Sequence, residues 1–340
     1  MRILALMSGG LDSTMAAARL LDQGHEVVAV TFRMLSGQAD EGAARMAETL
    51  GIEHHVIDLA EAFEARILAP FADSYASGLT PNPCVVCNPQ LKLTEGMAAA
   101  DRLGCDRLAT GHYARVERAE GGPILRRGAD PAKDQSYFLY RLPPEVLSRL
   151  ELPLGACLKS EVREKARTMG LPVWERPESQ DVCFAGLGSI AEVVEARRPD
   201  AGEPGEIVDE SGRVLGSHEG IARYTVGQRR GLGIGGGPPL YVLGIEAQAR
   251  RVVVGERERL VTRGLSLESC HWLHAPEGTD LAAVCRYRAK PVACRVRVAG
   301  DGAAVELDQP VYGAAPGQSA VVYDGDRVLG GGFIAPSQGN

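Results

Sequence analysis

The feature that most constrains this chain stands at its start. Four apolar residues, 3–6, run through Met7 into Ser8-Gly9-Gly10-Leu11-Asp12-Ser13, and a helical pattern follows at 13–23. A strand that turns through glycines directly into a helix presents backbone N–H groups to an anion at the positive end of that helix. At the first strand of an α/β sheet this is where nucleotides bind. The alternation continues, with strand-like runs at 27–30, 55–57 and 108–110 and helix-like stretches at 43–50 and 91–102. It predicts a doubly wound parallel sheet. Further helices are expected at 144–150, at 160–169 with Ser160 as N-cap, and at 190–197.

The loop has no G-x-x-x-x-G-K-[ST], so it lacks the lysine of an ordinary ATPase loop. Serines and an aspartate without lysine suit departure of pyrophosphate better than γ-phosphoryl transfer. The bland alternative is a Gly-rich turn with Ser8 or Asp12 as a cap and no ligand at all.

After Pro199 helical periodicity gives way to glycine-rich turns and short β-branched runs, such as 206–208, 241–243 and 251–254. The expected organisation is an α/β catalytic domain at 1–200, a small β-rich domain at 201–262 and a β-barrel-like domain at 263–340. The last has strands near 284–290, 293–298, 304–307 and 319–323. Residues 231–237, GLGIGGG, read as a loop. No run of 18 apolar residues occurs, and the N-terminus reads as a strand rather than a signal peptide. Eight cysteines scattered over 340 residues point to a reduced, cytosolic protein in which only clustered thiols carry chemistry.

A net charge of -7 excludes an indiscriminate nucleic-acid coat. Yet between Asp280 and Asp301 there is no acid, while Arg286, Arg288, Lys290, Arg295 and Arg297 are all basic. A second acid-free window, between Glu219 and Glu246, holds Arg223, Arg229 and Arg230. Alternation of Arg286, Arg288 and Lys290 with Tyr287 and Ala289 predicts a strand with three cations on one face. Local basic surface on an acidic protein suggests a selective polyanion partner.

Cys84 and Cys87 form a C-x-x-C in a proline-flanked loop ahead of a helix, where a thiol pKa of ~8.5 falls towards neutrality. Cys183 lies far along the chain among polar residues, and the three thiols are candidates for one site. Zinc on Cys84 and Cys87 lacks a second ligand pair. Cys105, Cys157, Cys270, Cys285 and Cys294 have apolar or strand-like surroundings and read as inert.

The loop resembles the SGGxDS loop of the N-type ATP pyrophosphatases. The whole chain resembles the tRNA-specific 2-thiouridylase (MnmA) family through motifs in order: SGGLDS at 8–13, TPNPCVVCN at 80–88, ATGHYAR at 109–115, KDQSYFLY at 133–140, SQDVCF at 179–184, YTVGQRRGLGI at 224–234 and RYR at 286–288. The resemblance implies ATP-dependent 2-thiolation of a wobble uridine, with Mg²⁺, in which the C2 oxygen is adenylated and sulfur then replaces AMP. It places ATP on Leu6, Met7, Ser8, Gly9, Gly10, Leu11, Asp12, Ser13, Phe32 and Gly111. Cys183 would carry sulfur as a persulfide and Cys87 would be the nucleophile, the two able to form a disulfide as sulfur leaves. Asn82, Pro83 and Cys84 would surround a base flipped from its stack, and His112, Lys133, Asp134, Gln135, Arg286, Tyr287 and Gln318 would touch tRNA at its anticodon arm.

Many family members have Asp where this chain has Cys84. The third thiol opens a second route, an iron-sulfur cluster on Cys84, Cys87 and Cys183, which competes with the persulfide relay. A sulfur-carrier protein, a cysteine desulfurase or inorganic sulfide would be the donor. The alternative function on the same fold is an adenylating synthetase that forms an amide or amidine bond, which has no use for Cys87 or Cys183. A non-catalytic RNA-binding protein would need neither the loop nor the thiols.

Overall fold

The computed structural model describes residues 1–37, 40–176, 182–235 and 237–336. The chain divides into two compact units that interleave along the sequence: Met1–Arg66 with Cys84–Gln180 and Asp326–Val328, and Ile67–Pro83 with Asp181–Gly325 and Leu329–Asn340.

In the first unit five parallel strands stand in the order Glu53–Asp58, Glu26–Arg33, Arg2–Leu6, Arg107–Ala109, Leu150–Glu151. The strand Arg2–Leu6 (β1) is central, and Ile3, Leu4 and Ala5 are almost wholly buried. Its apolar run covers both faces because helices pack on both sides of a parallel sheet. Neighbouring strands leave β1 in opposite directions, so its C-terminal end is the topological switch point. The helix Leu11–Asp22 (α1) follows and buries Met15, Ala16, Ala17 and Leu20 in that core.

The second unit holds a four-stranded sheet, ordered Tyr241–Glu246, Arg251–Gly255, Gly205–Asp209, Val214–His218, and a six-stranded barrel. The barrel closes where Val261–Trp272 pairs antiparallel with Arg327–Ile334. Leu265, Leu267, Leu281, Val305, Leu307, Val322 and Leu329 fill it. The expected class, a doubly wound parallel sheet followed by a β-rich module and a barrel, is the one observed.

Three local expectations are corrected. No strand runs through Arg286 to Lys290: it ends at Val284, Ala289 N–H donates to Arg286 O at 2.9 Å, and Arg288 is left-handed at φ 64°. The cations therefore occupy a hairpin turn before the strand Val292–Ala299. Ser160 does not cap its helix, which starts at Lys159, where the Leu158 N–H donates instead to the Glu161 carboxylate at 2.9 Å. The C-x-x-C is not in a loop ahead of a helix but inside one, Pro83–Cys87, continued by Asn88–Lys92 and Leu93–Arg102.

Candidate active site

The phosphate loop is built by backbone. Gly9 has φ 73°, and a Cβ there would lie 2.7 Å from Ala43 N, so only glycine lets the loop pass under the helix Glu41–Leu50. Ser13 Oγ accepts from Ser8 N–H at 3.1 Å and donates to Gly10 O at 3.2 Å, which closes the turn without a side-chain cap on Gly10. The first-turn N–H groups of α1 therefore have no competing cap, as an anion site requires. Arg176 adds a cation nearby, donating to Gly9 O at 2.9 Å.

Asp12 is the hub. Its Oδ1 accepts from the Tyr113 hydroxyl at 2.9 Å, and both carboxylate oxygens accept from Lys159 Nζ, at 2.6 and 2.8 Å. Lys159 is buried, at 8% exposure, and Tyr113 at 2%. Gly111 explains its own identity, since a Cβ there would meet the Asp12 and Ser13 backbone within 2.9 Å. Leu6, Met7 and Leu11 are buried around the loop, and Phe32 is buried on the neighbouring strand. There the adjacent Thr31 hydroxyl donates to Met7 O at 2.7 Å.

His112 is buried, with Nδ1 2.8 Å from the Thr110 hydroxyl. Burial, aided by the Lys92 charge, pushes its pKa down to about 3, so it is neutral. Of the Lys133-Asp134-Gln135 run, Asp134 turns inward to accept from the Gly128 and Ser136 N–H groups, each at 3.0 Å, and Gln135 Oε1 accepts from Tyr113 N–H at 2.9 Å. Lys133 is half-buried in the same turn.

Cys84 and Cys87 are half-buried, three residues apart on one helical turn. Val85, Asn88 and Leu91 bury the adjacent face. Among the described residues no three His, Cys, Asp or Glu side chains gather to hold a metal ion. In the second unit Cys183 is exposed beside Phe184, which is buried with its ring 5.3 Å from that of Phe71. Ser179, Gln180 and Asp181 of the same motif lie outside the described residues. Asn82 and Pro83 are half-buried just after Thr80, whose backbone O accepts from Gln318 Nε2 at 2.7 Å and whose N–H donates to Pro316 O at 2.8 Å. Arg286 and Arg288 are exposed, and the Arg288 guanidinium lies 5.3 Å from the Tyr287 ring centre. Cys105, Cys157, Cys285 and Cys294 are buried and Cys270 half-buried. Burial raises the Cys285 thiol to about 12 and Cys294 to about 11.

Lys159 and Tyr113 are the residues that the sequence pattern did not single out. A glycine loop at the switch point of a parallel sheet, with its aspartate answered by a buried lysine, belongs to the nucleotide-binding class of α/β domains. A family model described as tRNA methyl transferase HUP domain matches residues 1–187. Models described as tRNA methyl transferase PRC-barrel domain and Aminomethyltransferase beta-barrel domain match residues 192–256 and 262–334. The chain is 46% identical over 361 residues to the tRNA-specific 2-thiouridylase MnmA of Rhodospirillum centenum, covering 99% of this chain and 92% of that one. It is 47% identical over 348 residues to the protein of that name from Rhizorhabdus wittichii, covering 98% and 91%. A bifunctional protein NifU/MnmA of Rubrobacter xylanophilus is 46% identical over 345 residues, covering 98% of this chain and 70% of that protein. The chain belongs to the tRNA-specific 2-thiouridylase family.

Proposed function

We propose that this protein 2-thiolates the wobble uridine of tRNA at the expense of ATP. The observation that carries the reading is similarity at 46–47% identity to tRNA-specific 2-thiouridylases across 98–99% of the chain. The loop Ser8 to Ser13 binds the triphosphate of ATP, the uridine C2 oxygen attacks the α-phosphorus, and pyrophosphate leaves. Oxygen donors suit Mg²⁺, which binds through one or two carboxylates plus substrate phosphates. Asp12 and the Ser8 and Ser13 hydroxyls are the residues here that fit it, and it supplies charge neutralisation at the phosphates.

Sulfur then replaces AMP. A persulfide on Cys183 attacks C2 with its outer sulfur and AMP departs with the former C2 oxygen. The Cys87 thiolate next attacks Cys183 Sγ, so that the S–S bond to the base breaks, 2-thiouridine leaves, and a Cys87–Cys183 disulfide forms for a dithiol to reduce. The relay uses two thiols, whereas the competing iron-sulfur cluster would need Cys84 as a third ligand beside Cys87 and Cys183. No step is routed through the cluster.

Asn82, Pro83 and Cys84 surround the extruded base, while His112, Lys133, Asp134, Gln135, Gln318 and the Arg286–Tyr287 turn contact tRNA. Asp134 does so through the turn that it orders. No helix among the described residues is long and apolar enough to cross a membrane, and the reaction belongs in the cytoplasm with its tRNA. The test is nucleoside mass analysis of tRNA from cells with and without the gene. Unchanged 2-thiouridine in the deletion strain overturns the reading.

A further inference from the structure

The loop sequence lacks a lysine, yet the fold delivers one from 147 residues downstream of Asp12. Lys159 is the first residue of the helix Lys159–Thr168, where the helix dipole disfavours a cation, and its side chain is buried. Its backbone is fixed as well, the N–H donating to the Asp130 carboxylate at 2.9 Å. Asp12 has other stabilisation: it lies in the first turn of α1, where the dipole favours an anion, and it accepts from Tyr113. A buried ammonium is thus held, against local preference, beside the N-terminus of a helix whose first N–H groups are uncapped.

We propose that Lys159 is a phosphate-binding residue of this loop. Its ammonium serves Asp12 and the departing pyrophosphate together, as the lysine that the loop itself does not encode. The inference rests on the ATP reading above and deepens it.

The test is calorimetric titration of wild type, Lys159→Met and Lys159→Arg with inorganic pyrophosphate, ATP and adenosine, alongside thermal melting. Lys159→Met should bind pyrophosphate and ATP about 10- to 100-fold more weakly, the range for one charged hydrogen bond. Adenosine affinity should stay unchanged, and Lys159→Arg should recover most of the loss. If Lys159→Met does not fold, Lys159→Met combined with Asp12→Asn removes both charges and is compared with Asp12→Asn alone. Pyrophosphate bound with wild-type affinity by the methionine variant, at whatever melting temperature, makes Lys159 a structural counter-ion and overturns the proposal. A wild-type protein that binds neither pyrophosphate nor ATP overturns the loop reading itself, and Lys159 falls with it.

Discussion

Tyr113 and Gln135 hold each other twice: Gln135 Oε1 accepts from Tyr113 N–H at 2.9 Å, and Tyr113 O accepts from Gln135 N–H at 2.8 Å. Because the Tyr113 hydroxyl reaches Asp12, the turn proposed to meet tRNA is continuous with the phosphate loop. Tyr113→Phe removes only that hydroxyl and should lower stability by about 1 kcal/mol, the worth of one hydrogen bond. It should slow tRNA-dependent pyrophosphate release while leaving tRNA affinity intact. Gln135→Ala should slow release as well, and, as a proposed tRNA contact, should also weaken tRNA binding. Steady-state release and tRNA binding measured on both variants check this, and a loss confined to tRNA affinity would break the proposed connection.

Asp12→Ala should abolish pyrophosphate release, but not silently. It strands the Lys159 ammonium, whose side chain is 10% exposed, whereas that of Asp12 is 37% exposed. The expected destabilisation is about 1 to 3 kcal/mol, below the 3 to 5 of a fully buried pair. Asp12→Asn, which keeps an acceptor for Tyr113 and Lys159, should be stabler and equally inactive. Denaturant unfolding with release assays separates the two effects.

His112 gives a pH signature. Its folded pKa of about 3 lies below the ordinary 6.5, so between these values the unfolded chain binds the extra proton. Its contribution is therefore fully present above pH 6.5 and declines as pH falls from 6.5 towards 3. His112→Gln should melt at a temperature less dependent on pH between 6.5 and 4 than wild type does. Parallel melting curves, with no difference in slope, would contradict burial of a neutral imidazole.

What was legible in the sequence was local. The run into Ser8-Gly9-Gly10 announced a strand, a turn and a helix because apolar content and glycine act over neighbouring residues. Lys159 was not legible, since a lysine beginning a helix carries no motif and its partner is 147 residues away. Arg286 to Lys290 imitated a two-residue period, but Arg288 is left-handed and Pro291 follows before the next strand. The acid-free window was also misleading, because Glu306 pairs in register with Arg295 from the adjacent strand. Nor did composition show that residues 67–83 leave the first unit for the second, in which Phe71 meets Phe184 and Asp73 meets Arg198 at 2.8 Å.

Arg286→Ala with Arg288→Ala should weaken tRNA binding without touching ATP binding. Each lost phosphate contact removes about 0.7 to 0.9 from the slope of log affinity against log salt, so the pair should lower it by about one to two units. The hairpin turn, with both cations exposed, can reach phosphates that a flat strand face would meet only side-on. An unaltered slope would move the RNA surface elsewhere.

Cys84 decides between the two sulfur routes. Cys87 and Cys183 serve both, so alanine at either stops thiolation under both and separates nothing. A relay needs one thiol to carry sulfur and one to resolve it, which leaves Cys84 beside the reaction on the same helical turn as Cys87. Cys84→Asp keeps a small polar group there and should retain most of the activity with a persulfide donor. A three-cysteine cluster would lose a thiolate ligand and most of its iron. Under the relay proposed above, the expected outcome is that wild type, reconstituted anaerobically with iron and sulfide, stays colourless and still thiolates tRNA. Broad visible absorption, stoichiometric iron and loss of both in Cys84→Asp would reverse the choice and make the cluster the sulfur carrier.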